Sequence, residues 1–272
     1  MAHSVFKKYQ YSLILLRELV ITEFKLRYQG SVLGYLWSLL RPLFLFIILY
    51  VVFVYFLKIG SDVPHWPVAL LLGIVMWNFF AEVTNNGVTS IVDRGDVIRK
   101  INFPKYVIVL AGSISALINM LINMVVIIVF MIINGVDVHW VSLLAPLYVF
   151  ELFVLALGLA FFLSAMFVRL RDLNYIWEII MQGLFYASII IYPVSMIIAK
   201  SHILAELLLL NPVAQSVQDA RQVLISNANP TLYTVSGNNI FIAAIPIVLV
   251  LLIFVVGARY FKRKSPYFAE NV

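Results

Sequence analysis

The sequence predicts an all-α membrane protein with six transmembrane helices, and three observations predict it. Hydrophobic residues make up 63% of the 272 positions and charged residues only 12%. That is about half the charge of a soluble globular chain, too little polar surface to cover a water-facing core. The charge-poor stretches are as long as a bilayer-spanning helix, roughly 20 residues. The basic residues gather between those stretches. A soluble enzyme, a disordered chain and a disulfide-stapled domain are thereby excluded. The absence of cysteine excludes thiolate metal sites and thiol catalysis. The chain reads as one membrane domain, 1–272.

Residues 4–28 read as an amphipathic interfacial helix. Val5, Tyr9, Leu13, Leu16, Val20 and Phe24 step by three or four along one face, with Lys7, Lys8, Glu18 and Lys25 elsewhere. Arg17 and Glu18 interrupt the apolar run too early for a signal peptide. Glu23 and Arg27 are spaced to pair. The first expected span, 31–57, carries only Arg41. Spans two (63–81) and three (106–136) carry no charge. Span four (138–168) carries Glu151, span five (173–199) carries Glu178, and span six begins near Ile240. Their richness in Leu, Ile, Val and Phe, without short alternation, argues for helices over a β-barrel.

Three connecting segments carry further information. In 93–105, Val97, Ile98, Ile101 and Phe103 stand among charges, and Pro104 ends any helix there. A short amphipathic helix between spans suits docking into a groove on a soluble partner. In 168–174, Asp172 is placed to cap the next helix. In 200–226, two apolar stretches flank Asn211-Pro212. Each is too short to span, so they are expected as a re-entrant or interfacial pair.

Fifteen of the nineteen basic residues fall on the side of the termini, before span one, between spans two and three, between spans four and five, and after span six. Only Lys58, Lys200 and Arg221 fall on the other side, and Arg41 lies within span one. The bias predicts cytoplasmic termini in a cytoplasmic (inner) membrane. Scattered among juxtamembrane loops, these residues suit anionic lipid headgroups and not nucleic acid.

No glycine is followed by lysine, so there is no phosphate-binding G-x-x-x-x-G-K-[ST] loop and no ATP hydrolysis by this chain alone. His3, His65, His139 and His202 lie at span ends or in loops without metal-ligand spacing, and no G-x-S-x-G occurs. Neither enzyme activity, nor a metal, nor a bound cofactor is expected. A secondary transporter or channel would rely on Glu151, the one deep carboxylate. The alternative for Glu151 is a helix–helix hydrogen bond. No internal repeat supports an inverted-repeat transporter.

An ordered set of segments carries a family resemblance over most of the chain. ELVITEFKLRYQGSVLGYLWSLLRPL (18–43), GIVMWNFFAEV (73–83), VIRKINFPK (97–105), VRLRDLNYIWEIIMQGLFYASIIIYP (168–193), NPVAQSVQDARQVL (211–224) and YFAENV (267–272) resemble permease subunits of the ABC transporters that export polysaccharides, of O-antigen, capsule or teichoic-acid type. The sequence departs from them at Tyr186-Ala187-Ser188, where that family is more Thr-Pro-like, and this leaves the local helix geometry open. The resemblance implies a homodimer joined by two separate ATPase subunits, which hold ATP and magnesium. It implies that Asp96, Val97, Ile98, Arg99 and Lys100 form a coupling helix seated on the ATPase. It also implies that Asn211, Pro212, Gln218 and Arg221 belong to external gate helices. The implied cargo is a polysaccharide on an undecaprenyl-type lipid, taken from the cytoplasmic leaflet.

With that cargo in view, Arg41 and Arg27 become candidate contacts for a lipid diphosphate. An arginine inside a span has a cost unless it meets phosphate or a carboxylate, or snorkels to headgroups. Phe46, Tyr50 and Phe53 step by four and three on span one, and Tyr175 and Trp177 open span five. Sugar C–H faces stack on such rings, although aromatic rings also face lipid and form interfacial belts. A permease of the same superfamily exporting a drug or lipid is the alternative reading.

Overall fold

The computed structural model describes residues 12–23, 25, 34–101 and 103–271. Every regular element among them is helical. Helix α1 covers 12–23, within the expected interfacial helix. Helix α2 (Trp37–Leu49) runs on into a π-helical stretch, Tyr50–Phe56. Helices α3 (Trp66–Thr89), α4 (Gly95–Lys100), α5 (Tyr106–Ile133), α6 (Ala145–Phe167) and α7 (Leu173–Ala187) follow. After them come α8 (Val194–Ile198), α9 (His202–Leu209), α10 (Pro212–Leu224), α11 (Leu232–Val235), α12 (Ile240–Lys264) and α13 (Phe268–Asn271). Arg27 lies outside the described residues.

Among the described residues five helices are long and apolar enough to cross a membrane: Trp37–Phe56, Trp66–Thr89, Tyr106–Ile133, Trp140–Phe167 and Ile240–Asn271. The expected fifth span, 173–199, is not one continuous helix. Helix α7 has 15 residues, about 22 Å at 1.5 Å per residue, short of a hydrocarbon core of about 30 Å. The helix ends at Ser188, and Ile189 takes a left-handed φ of 55°, costly for a β-branched residue. Pro193 then bars Tyr192 from helical geometry and starts α8. The break falls next to Tyr186-Ala187-Ser188, where the sequence leaves the helix geometry open. Asp172 occupies the N-cap position of α7, but its side chain makes no capping bond.

Helix α3 lies at the centre, packed against α2, α5, α6, α7 and α10. Of its most apolar stretch 78% is buried, against 11% for the α2 span, so α2 is peripheral and leaves an apolar face uncovered. Helices α6 and α12 cross closely at two glycines. A Cβ on Gly257 would stand 2.1 Å from the Gly158 carbonyl oxygen, and one on Gly158 would stand 2.6 Å from Phe254 Cα. Small residues let backbones meet where lipid supplies no hydrophobic drive between helices. At the end of the chain α13 packs on α4, with Phe268 buried edge-on to Phe261 at 5.3 Å.

Candidate functional site

Three places among the described residues gather side chains that bear on function. The first is α4. It has Asp96 in its first turn and Arg99 and Lys100 in its last, each favourable to the helix dipole. Its faces differ: Ile98 is 4% exposed, whereas Val97 is 43% and Ile101 50% exposed. Ile98 therefore anchors α4 to the apolar core, while Asp96, Val97, Arg99 and Lys100 face outward. Arg94, immediately before α4, forms an ion pair with Glu23 of α1. Glu23, spaced for Arg27, thus ties α1 to the α4 segment.

The second place is a cavity of about 740 Å³ between α2, α3 and α5. Arg41 and Trp37 line it from α2, Asn78, Glu82, Asn85 and Asn86 from α3, and Asn119 from α5. Pro42 also stands on its wall, inside α2. Having no N–H, Pro42 cannot donate to the carbonyl of Ser38 four residues back. Buried Asn123 of α5 donates to that carbonyl instead, at 3.1 Å, and also to Asn119 O at 2.9 Å. Asn119 Nδ2 donates to Glu82 Oε2 at 3.0 Å. Arg41 is exposed to this cavity, where an anion would find it.

The third place is built around Arg221 of α10. Its side chain is fully buried, so this arginine is not a loop charge as the topology count has it. No carboxylate pairs with it among the described residues. Its Nε donates to Ala69 O at 2.9 Å, Nη1 to Ile189 O at 3.0 Å and Nη2 to Ile190 O at 2.7 Å. The guanidinium lies over the Trp66 ring, 5.0 Å from its centroid. Gly73 of α3 leaves it room, since a Cβ there would stand 2.4 Å from Nη2. Gln218 Nε2 also donates to Ile189 O, at 3.3 Å. Asn211 donates to Ser188 Oγ at 3.0 Å and caps α10 through the Val213 amide at 3.1 Å. Pro212 follows at the first helical position, where a missing N–H costs nothing. The four expected gate residues thus form one unit, and three of them hold the break after α7.

The expected aromatic pathway divides. Phe46 is buried, edge-on to Phe130 of α5 at 5.7 Å, and Trp177 is buried as well. Tyr50 and Tyr175 present exposed rings, and Phe53 is half-buried beyond the start of the π-helical stretch. Glu151 Oε2 accepts from Gln215 Nε2 at 3.4 Å, an α6–α10 hydrogen bond, and Gln215 also donates to Asp219 Oδ2 at 2.5 Å. That is the helix–helix role weighed against a transport role for Glu151. The asparagines of the cavity escaped the sequence reading. Their signal was the spacing of Asn78, Glu82, Asn85 and Asn86 along one face of an apolar span, facing Asn119 and Asn123 one turn apart on the next.

Comparison with known proteins agrees with this architecture. Residues 14–225 match the model of the ABC-2 type transporter family. The chain is 27% identical over 267 residues to the O-antigen export system permease protein RfbA of Myxococcus xanthus, covering 97% of each chain. It is 28% identical over 225 residues to a protein of the same name from Klebsiella pneumoniae, covering 80% of this chain and 85% of that one. A membrane domain of long apolar helices without an ATP-binding loop, matched over most of its length, belongs to the ABC-2 type transporter family.

Proposed function

We propose that this chain is the membrane subunit of an ABC exporter that moves a lipid-linked polysaccharide across the cytoplasmic membrane. A partner ATPase, holding ATP and magnesium, drives it. The observation that carries this reading is the cavity between α2, α3 and α5. A chamber of about 740 Å³ whose wall carries an arginine, a carboxylate and four asparagines is costly among membrane helices unless a polar cargo uses it. A drug or simple-lipid exporter would have no use for so many carboxamides on one wall. Arg41 meets the lipid diphosphate. The exposed rings of Tyr50 and Tyr175 offer sliding surfaces to the glycan. The uncovered faces of α2 and α7 receive a second copy of the chain. Both termini lie in the cytoplasm, α7 with α8 completes a sixth crossing, and α9 with α10 forms the re-entrant external gate.

Coupling runs through α4. Asp96, Val97, Arg99 and Lys100 seat on the ATPase, one on each copy, and Ile98 carries the motion into the core. The Arg94–Glu23 ion pair conveys it to α1 at the membrane surface. Disruption of the gene tests the proposal: surface polysaccharide should disappear and lipid-linked glycan should accumulate inside. Undiminished surface polysaccharide would refute it. The chain should also copurify with an ATPase bearing a phosphate-binding loop.

A further inference from the structure

We propose that Asn78, Glu82 and Asn85 of α3, with Asn119 of α5 and Trp37 of α2, form a sugar-binding subsite that reads the first residues of the glycan beside the diphosphate. This rests on the export reading above and assigns the specificity of the same cavity.

Hydrogen bonding supplies the first argument. The side chains of Asn78 and Asn85 make no hydrogen bond to another described residue, and both line the cavity. Asn119 uses its amide nitrogen on Glu82, while its Oδ1 is buried and has no partner among the described residues. Asn78 is half-buried and Asn85 exposed, so both present a donor and an acceptor to the chamber. Where they stand together around an open chamber, they await a ligand that donates and accepts.

Spacing supplies the second. Residues 78, 82 and 85 share one face of α3, and 78 to 85 span about 10 Å along the axis. This is a ladder for a short run of sugars and not for a single small ion. Composition supplies the third. A carboxamide offers a donor and an acceptor side by side, matching neighbouring hydroxyls. The exposed indole of Trp37 offers a flat apolar surface for a pyranose C–H face. Charge supplies the last. Among the described residues Arg41 is the one cation on the cavity wall and Glu82 the one carboxylate. Past Arg41 a second anionic group would meet Glu82, whereas a neutral, hydroxyl-rich chain would not. The order along the cavity is therefore diphosphate at Arg41, then sugar along α3.

The test uses the full chain with its ATPase in nanodiscs. One probe is the lipid-linked glycan extracted from a strain lacking this permease, and the other is undecaprenyl diphosphate without sugar. The wild type should bind the glycan-bearing lipid about tenfold more tightly or better, the worth of one or two net hydrogen bonds. N78A/N85A should bind the two lipids alike, and Trp37→Leu should narrow the gap. Arg41→Leu should weaken both. Equal binding of both lipids by the wild type, or a preference that survives in N78A/N85A, overturns the subsite. Undiminished binding of the sugar-free lipid by Arg41→Leu overturns the diphosphate reading instead. Asn85 faces open space, so Asn85→Ala alone, checked by thermal unfolding, decides the matter if the double variant fails to fold.

Discussion

Replacing Arg221 with methionine keeps an unbranched apolar stem and removes the guanidinium donors. Three carbonyls then lose a charged partner, but unequally. Ala69 lies inside α3 and can remain in the helical ladder. Ile189 keeps the Gln218 amide at 3.3 Å. Ile190 loses its 2.7 Å bond from Nη2 and is left as a buried acceptor, at a cost of about 1–3 kcal/mol. Removing the guanidinium also relieves its own desolvation, so global stability should change little. The break after α7 should feel the loss, because Ile189 holds φ 55° only while its surroundings enforce it. Local opening should become easier by about 2 kcal/mol, or roughly 30-fold in exchange rate. Hydrogen exchange with mass spectrometry, on protein in nanodiscs, should show this in residues 188–192 and not in α3 or α12. Arg221→Lys should fall between, since one ammonium cannot reproduce the planar fork. Unchanged exchange at 188–192, or a loss of protection spread evenly through the long helices, would refute the reasoning.

Three further outcomes follow from the packing. Val97→Asp should abolish copurification with the ATPase while leaving the thermal unfolding curve in place. Ile98→Asp should instead lower folding yield, by placing a carboxylate in the core; retained ATPase binding by Val97→Asp would defeat the assignment of the exposed face. Asn123→Leu removes the donor to the Ser38 carbonyl and should cost about 0.5–1.5 kcal/mol. Pro42→Ala in the same background returns an N–H to that carbonyl and should recover part of the loss, so a purely additive double mutant would argue against the compensation. Gly257→Ala should force α6 and α12 apart, costing about 1–3 kcal/mol in unfolding experiments; an unmoved transition would mean the crossing relaxes freely.

The sequence made some of this legible and hid the rest for physical reasons. Apolar length locates five spans because crossing a bilayer is a composition problem. It does not reveal the break inside 173–199, because an interruption of a few residues leaves composition unchanged while ending the helix. The turn at Asn211-Pro212 could be read because cap and N1 proline are local chemistry, and α9 and α10 form on either side of it. Arg221 could be named but not placed: that it reaches back to Ala69 and across to Ile190 depends on Gly73, 148 positions earlier in the chain, leaving space. Ile98 looked like its neighbours in an apolar-among-charged pattern, and a helix of six residues has too few turns for periodicity to tell inward from outward. The cavity asparagines were hidden because their meaning lies in what faces them.

Membrane depth imposes one rule that sorts these polar residues. With no water to help, each interrupted backbone bond and each buried polar side chain must be answered from elsewhere in the protein. Pro42 interrupts α2, and Asn123 answers from α5. The break after α7 exposes Ile189 and Ile190, and Gln218 and Arg221 answer from α10. Asn211 answers twice, to Ser188 and to the first turn of α10. Gln215 answers Glu151 and Asp219. Once these structural duties are subtracted, Asn78, Asn85, Asn86 and the Asn119 carbonyl oxygen are left around one chamber beside Arg41. A fold does not need four carboxamides facing a void between apolar helices, and replacing them with leucine would pack better in lipid. On the export reading proposed above, a cargo that brings its own hydroxyls would satisfy them, and the residues left over from the folding problem would mark its path.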